Sequence, residues 1–330
     1  MQFILLGQVV QNNKKYMIQI SIPTGISFIK NEKESIVKKQ ATGLWSGIVL
    51  VMLLLSACQG GALMGTAPEK SDLLSKADTC REVYTEQVDA WGSGDIDRIG
   101  KVYTEDIVHY DGGPAYIGID DVLGMARTML MYFSDWEMEA GRTYISASDC
   151  LGTWVNWGVM GFTEEEPGRE FDLVDIQGDQ ISYWRLFYDE NFGFSPINTT
   201  LLEDYGAAWS SGDPQEVAGL YAEDALLDDS LFGITAAGTD EIGQYAAGYF
   251  KDHPNATWEL HYTFSESDDE TQPDLLPSHG GIYQVTSKPL LGKACSVQVA
   301  VILTPDADGL IASQKTMYYA DDLIQCGWVK

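Results

Sequence analysis

The chain has 330 residues and a formal charge of −29, from 49 acidic against 20 basic side chains. So large an acidic excess repels phosphate backbones and anionic lipid surfaces, which excludes nucleic acid as a partner. The familiar cofactor and hydrolase signatures are also missing: there is no G-x-x-x-x-G-K-[ST], no G-x-G-x-x-G, no H-E-x-x-H and no G-x-S-x-G. No cofactor is implied, and the Gly-rich spots read as turns.

From the N-terminus, the first informative stretch is Gly43 to Ala57 (GLWSGIVLVMLLLSA), apolar and preceded by Lys38-Lys39. A charged, then apolar, then small-residue order is the layout of a secretory signal. The run is shorter than the roughly 20 apolar residues that span a bilayer. Leu55-Ser56-Ala57-Cys58 resembles the lipobox of bacterial lipoproteins. That resemblance implies diacylglycerol attachment at Cys58, cleavage before it and an exported protein held to the cell envelope. Gln59 rather than Asp after the Cys implies the outer membrane in a Gram-negative host. Residues 1 to 37 precede the usual charged region and include a second candidate start at Met17, so residues 1 to 57 are set aside as leader. Residues 58 to 71, rich in Gly and Ala, read as a flexible tether. Without the six Lys and two Glu of the leader, the remaining chain carries about −33.

Beyond the tether the chain repeats itself. Trp91-Gly92-Ser93-Gly94-Asp95 returns as Trp209-Ser210-Ser211-Gly212-Asp213, and Tyr103-Thr104-Glu105-Asp106 as Tyr221-Ala222-Glu223-Asp224, both displaced by 118 residues. A period of that length is a duplicated domain rather than a solenoid unit. The expected domains are residues 72 to 190 and 199 to 330, joined by a linker over 191 to 198. In each, apolar spacing predicts a long helix (Ser71 to Trp91 in the first) broken at the Gly. Asp95 then caps a short helix, as Asp213-Pro214-Gln215-Glu216 does in the second copy. A third helix follows Asp121 and Thr239. Beyond it the period falls to two, predicting strands near Trp136 to Glu139, Thr153 to Val159, Phe171 to Ile176 and Ile181 to Tyr188. The matching set is Trp258 to Phe264, Gly281 to Thr286, Val297 to Leu303 and Leu310 to Tyr319. Residues 265 to 280 read as an acidic loop. Helices followed by consecutive strands mean an α+β fold with an antiparallel sheet. Two cysteines fall in each repeat, Cys80 with Cys150 and Cys295 with Cys326. Of the three connectivities open to four cysteines, these pairs respect the domain boundaries.

This order of helices, W-x-S-G-D, Y-x-E-D and strands resembles the nuclear transport factor 2-like superfamily, closest to SnoaL-like polyketide cyclases and ketosteroid isomerases. The resemblance covers nearly all of residues 72 to 325 in two copies. It implies two cone-shaped α+β barrel domains, each with three helices packed on a curved sheet around an apolar pocket, and it implies that the copies pack as a pseudo-dimer. By the isomerase pattern, Asp111 and Asp229 stand at the general-base position. Tyr205 stands at that of a hydrogen-bond-donating Tyr eight residues before Asp213, where the first copy has Gln87 with Tyr84 one turn earlier. His109 is placed to tune Asp111. For the isomerases' second, protonated Asp, the first copy offers Asp172 and the second offers no carboxylate. His253, His261 and His279 show no metal-ligand spacing, so no metal is expected.

Three functions remain open on the sequence. The leading one is a membrane-anchored, exported lipoprotein whose two pocket-bearing domains bind a small apolar molecule. The alternatives are an acid–base enzyme (isomerase, cyclase or hydratase) acting on a carbonyl compound, and an interaction module with filled cones.

Overall fold

The repeated motif folds the same way in both copies, and each of its letters has a task. Helix α1 (Lys70–Ser93) buries Leu73, Ala77, Cys80, Tyr84, Gln87 and Trp91, the three-and-four spacing of one helical face. It stops at Gly94, whose φ of +66° is left-handed backbone that favours glycine. The Ser93 hydroxyl donates to the Ala90 carbonyl at 2.6 Å and accepts from the Asp95 amide at 3.2 Å. Asp95 in turn accepts from the amides of Asp97 and Arg98, capping α2 (Ile96–Val102). In the second copy α4 (Thr199–Ser211) ends at Gly212 (φ +77°), Ser211 bonds Ala208 and Asp213, and Asp213 caps α5 (Pro214–Ala218). The third helices are α3 (Ile119–Tyr132) and α6 (Gly238–Asp252). A short α7 (Ala320–Cys326), not anticipated, closes the described chain.

This computed structural model describes residues 4–11, 14–21, 68–111, 114–132, 137–158, 161–192, 196–266, 277–287 and 294–328. The expected signal run Gly43 to Ala57, Cys58, most of the tether, Trp136, Val159, part of the linker and the centre of the acidic loop lie outside them. The chain divides into two units, Met1–Gly60 and Gly61–Lys330. In the first, β1 (Ile4–Gln11) and β2 (Lys14–Ser21) pair as an antiparallel hairpin, so residues set aside as leader carry strands. No helix among the described residues is long and apolar enough to cross a membrane.

In the second unit each copy contributes a short pair and a meander. The first copy has β3 (Tyr103–Tyr110) with β4 (Tyr116–Ile117), then β5 (Glu137–Ile145), β6 (Asp149–Trp157), β7 (Gly168–Gln177) and β8 (Gln180–Tyr188). The second has β9 (Tyr221–Asp229) with β10 (Ile234–Ala237), then β11 (Thr257–Ser265), β12 (His279–Ser287), β13 (Cys295–Pro305) and β14 (Ile311–Tyr319). The meanders are antiparallel, as expected. However, β3 joins β8 and β9 joins β14 in parallel, because each enters from the helices at the far edge of its meander. Both copies share one 12-stranded sheet, in which β8 pairs with β11 and β14 with β5, closing the two meanders into a ring.

The inner face of each meander packs on its helices. The outer faces pack on one another through Tyr144, Leu151, Phe171, Leu173 and Phe187 of the first copy and Phe264, Ile282, Ala300, Ile302 and Met317 of the second. Phe171 and Phe264 stack with ring centroids 4.1 Å apart. Polar links cross the same seam. The Tyr144 hydroxyl donates to Gln298 at 2.9 Å, Arg185 grips Glu266 with two donors, and Lys315 pairs with Asp149. Disulfides Cys80–Cys150 and Cys295–Cys326 stay within their repeats, fastening α1 to β6 and β13 to α7.

Phe264 is fully buried at this seam. Phe264→Ala is expected to lower the unfolding free energy by about 3–5 kcal/mol in denaturant titrations, against roughly 0.5 kcal/mol or less for Leu226→Ala on the exposed surface.

Candidate functional site

Strand β7 has no solvated face. Phe171 and Leu173 enter the seam between the copies, so Glu170 and Asp172 turn inward toward α1, and both are buried. Asp172 accepts from the Gln87 amide at 3.2 Å and Glu170 from the Asn156 amide at 2.6 Å. Burial lifts the pKa of each well above the ordinary carboxylate range. For Glu170 the nearby charges of Asp172 and Asp111 add to the effect. Among the described residues no Lys or Arg pairs with Asp111, Glu170 or Asp172. Burial thus favours the protonated, uncharged form of both the Glu170 and the Asp172 carboxyl.

Asp111 lies just beyond β3 and Tyr188 ends β8. The two strands run parallel, so both residues arrive at one edge, where the Tyr188 hydroxyl donates to the Asp111 carboxylate. Burial pushes Asp111 up to about 6, with the Tyr188 bond opposing. Two residues back, His109 stacks on Trp184 at 3.8 Å and places Nδ1 3.3 Å from the Trp184 carbonyl. Burial brings its pKa down to about 3, so the ring is neutral. A carbonyl only accepts, which assigns the proton to Nδ1 and leaves Nε2 a bare acceptor. Tyr84 comes down from α1 onto Gly152, where an added Cβ would meet its ring at 2.2 Å. Glycine is what lets that ring reach the strand.

The polar groups of this interior are not used up by one another. The Tyr84 hydroxyl and the indole N–H groups of Trp154 and Trp184 are buried donors without a partner. Both indoles are directed at Asp172, where their donation opposes the burial that lifts its pKa, although neither reaches full hydrogen-bond geometry. Gln87 Oε1, Asn156 Oδ1, Asp172 Oδ1 and His109 Nε2 are buried acceptors in the same condition. Folded proteins leave few such groups unpaired, so seven in one interior set it apart from an ordinary core.

The second copy keeps the frame and loses most of this chemistry. Tyr103 lies opposite Ile181 and Tyr221 opposite Ile311, which brings Tyr188 into register with Tyr318 and Asp111 with Asp229. The Tyr–Asp bond recurs: Tyr318 and Tyr245 both donate to Asp229 Oδ2, at 2.8 and 2.6 Å. Burial pushes Asp229 up to about 6 as well, the two bonds opposing. Yet Val301 occupies the place of Asp172, Val299 that of Glu170 and Leu227 that of His109.

Of the residues named from sequence, Asp111, His109, Gln87 and Tyr84 come together in the first interior. The expected Tyr205/Asp229 pair does not form. Tyr205 packs against Tyr283 and Trp258 with its hydroxyl unpartnered, and Tyr245 and Tyr318 bond Asp229 instead, reaching it from α6 and β14. Sequence reasoning did not single out Glu170, Tyr188, Tyr245 or Tyr318. The one available signal was Glu170-Phe171-Asp172, two acids two apart on a strand whose intervening residue is aromatic. No three His, Cys, Asp or Glu side chains among the described residues are placed to hold a metal ion.

The fold has many solved counterparts. A hypothetical protein with a ketosteroid isomerase-like fold from Catenulispora acidiphila, crystallised with trimethylamine, is 17% identical at a TM-score of 0.34. The match covers 41% of this chain and 96% of that one. An NTF2-like protein of unknown function from Cytophaga hutchinsonii is 12% identical at 0.27, over 35% of this chain and 95% of that one. No curated protein matches. The SnoaL-like domain family matches residues 84–188 and again residues 202–314. The chain belongs to the SnoaL-like family, whose domain it carries twice in tandem.

Proposed function

We propose that the first copy is a receptor for a small, largely apolar molecule bearing a hydrogen-bond acceptor such as a carbonyl oxygen, and that the second copy is its structural support. The observation that carries this is the buried Tyr84 hydroxyl without a partner, beside the Trp154 and Trp184 indoles that converge on Asp172, whose burial favours its protonated form. A carbonyl seated among them satisfies groups that otherwise cost about 1–3 kcal/mol each to leave unmade. The aromatic walls suit a flat apolar body. The signal-like run before Cys58 supports an exported protein held to the bacterial envelope by lipid on that residue. Mass spectrometry of the membrane fraction, finding a diacylated N-terminal Cys58, tests the anchoring separately.

One observation favours a second reading, acid–base catalysis on the same guest. Asp111 titrates at about 6, near working pH, and shares the interior with a carboxylic acid able to stabilise an oxyanion. The readings separate by substitution. Tyr84→Phe is expected to weaken an enone probe roughly 5- to 150-fold in tryptophan-fluorescence titrations. Asp111→Asn is expected to leave probe binding within about threefold while abolishing any turnover, general-base losses being about 10²–10⁴-fold. Unchanged binding in Tyr84→Phe removes the receptor reading.

The support role of the second copy yields a pH test. Asp229 holds its proton more tightly folded than unfolded, since its pKa rises from 3.8 to about 6. Its contribution is fully present below about pH 4 and is lost as pH climbs through 6, on the order of 3 kcal/mol. Asp229→Asn cannot titrate. The difference in unfolding free energy between wild type and variant should therefore drift by that amount between about pH 4 and pH 7. A constant difference refutes the assignment.

A further inference from the structure

The closed ring of meanders opens at one end into a cleft of about 300 Å³, formed by β5, β6 and β7 of the first copy and β11, β12 and β13 of the second. That is the lower limit of ligand-sized pockets. Its polar lining is cationic or neutral, with Arg142, Arg169, His261 and Gln298, and no carboxylate is among the residues that form it. In a chain of −29 that is unexpected, because two of its six arginines meet at one small opening. Arg81, Arg98 and Arg185 are matched to Asp78, Glu86 and Glu266. Arg142, by contrast, makes no ion pair among the described residues, and its guanidinium rests 5.1 Å from the Tyr319 ring centroid. Arg169 lies against the Tyr262 ring at 5.3 Å, and its one ion-pair partner among the described residues is Asp189, 3.6 Å away.

The spacing suits a shared anion. Arg142 on β5 and Arg169 on β7 stand on either side of β6, roughly 10 Å apart along two strand spacings. Thr153 and Val155 lie between them. An oxygen pair seated over Thr153 and Val155 is approached by Arg169 from β7 and by Arg142 from the bulge of β5, each fork able to donate in parallel to a carboxylate, while Glu139 stands opposite Val155 on β5. Gln298 adds a donor: its amide oxygen is taken by the Tyr144 hydroxyl, which leaves its NH₂ end without a protein partner among the described residues. Around these groups Val155, Phe171 and Ile282 give apolar wall, and Tyr262, 47% exposed, stands at the mouth with Arg169 against its ring.

We propose that this cleft between the repeats is a binding site for a small organic carboxylate with a flat apolar body, independent of the interior of the first copy. Two forks plus an amide donor fix the anion, the walls take the hydrocarbon, and both repeats must be present to build it. The opposite opening, a groove of about 530 Å³, has its cations Arg185 and Lys315 already paired with acids and offers no such charge.

Isothermal titration of the purified protein with benzoate, the neutral isostere benzamide and inorganic phosphate tests the proposal. Benzoate should bind at least about tenfold more tightly than either comparator, and R142Q/R169Q should lose at least about tenfold in benzoate affinity. Tyr84→Phe should leave benzoate binding unchanged, which separates failure of this site from failure of the interior receptor. The chain has only four histidines, so proton NMR gives a location without any variant. Benzoate should move the His261 ring signal and not that of the buried His109. Equal binding of benzoate and benzamide, tighter binding of phosphate, wild-type affinity in folded R142Q/R169Q, or a response confined to the other histidines would each overturn it.

Discussion

The central strands of this sheet have no face to spare for water, and much of its chemistry stems from that. In each meander the inner residues meet helices and the outer residues meet the other copy, so strands such as β7 are buried on both sides. An antiparallel sheet ordinarily leaves one face solvated and can keep its acids there. Here an acid on an inner position is cut off from solvent on all sides. It must find a partner, take up a proton, or wait for a guest. For Glu170 and Asp172 burial favours the second, and the atoms around them without partners leave room for the third. The same closure creates the two openings where the ring ends, because a core of Phe171, Phe187 and Phe264 fills the middle of the seam but not its rims.

The helices, the duplication and the capping motif were legible because their causes are local. Gly94, Asp95 and Ser93 act within five residues of one another, so a sequence window contains the whole interaction. The strands were legible from their period, with errors at the ends. The parallel pairing of β3 with β8 was not, since Tyr103 and Ile181 are brought together only by the completed fold. The site divides along the same line. Asp111 and Gln87 were found through their distance from a local motif. Tyr188 was not, because its bond to Asp111 spans 77 residues. The Tyr205/Asp229 pair failed for the matching reason. Sequence offset places two residues on known elements but does not say that a closer hydroxyl, on Tyr245 or Tyr318, will arrive first.

Duplication also divides the energetic load. The second interior replaces Asp172, Glu170 and His109 with Val301, Val299 and Leu227, which bury hydrocarbon at no polar cost and contribute on the order of 1.5–3 kcal/mol each. The first interior forgoes that gain and holds buried polar groups that cost about 1–3 kcal/mol apiece while unmatched. A lone domain of this size has a total stability of only about 5–15 kcal/mol and would be strained by such an interior. Joined through the aromatic seam and two shared strand pairings, the second copy, though it keeps unpartnered polar atoms of its own such as the Tyr205 hydroxyl, shares that load.

The two copies act as an internal control on which residues matter for function. A feature serving only to close the fold should survive in both, and a feature serving a guest should survive where the guest binds. The Tyr–Asp bond at the strand edge is present twice, as Tyr188 with Asp111 and as Tyr318 with Asp229, so fold closure is sufficient to explain it. Asp172, Glu170, His109 and Gln87 are present once, and the closure of the second copy without them shows that the frame does not require them. Their burial carries a cost that the valines and leucine of the other copy avoid, and the bonds they make to Gln87, Asn156 and the Trp184 carbonyl offset only part of it. Functional weight therefore rests on this set more than on the Asp that the general-base position alone would select.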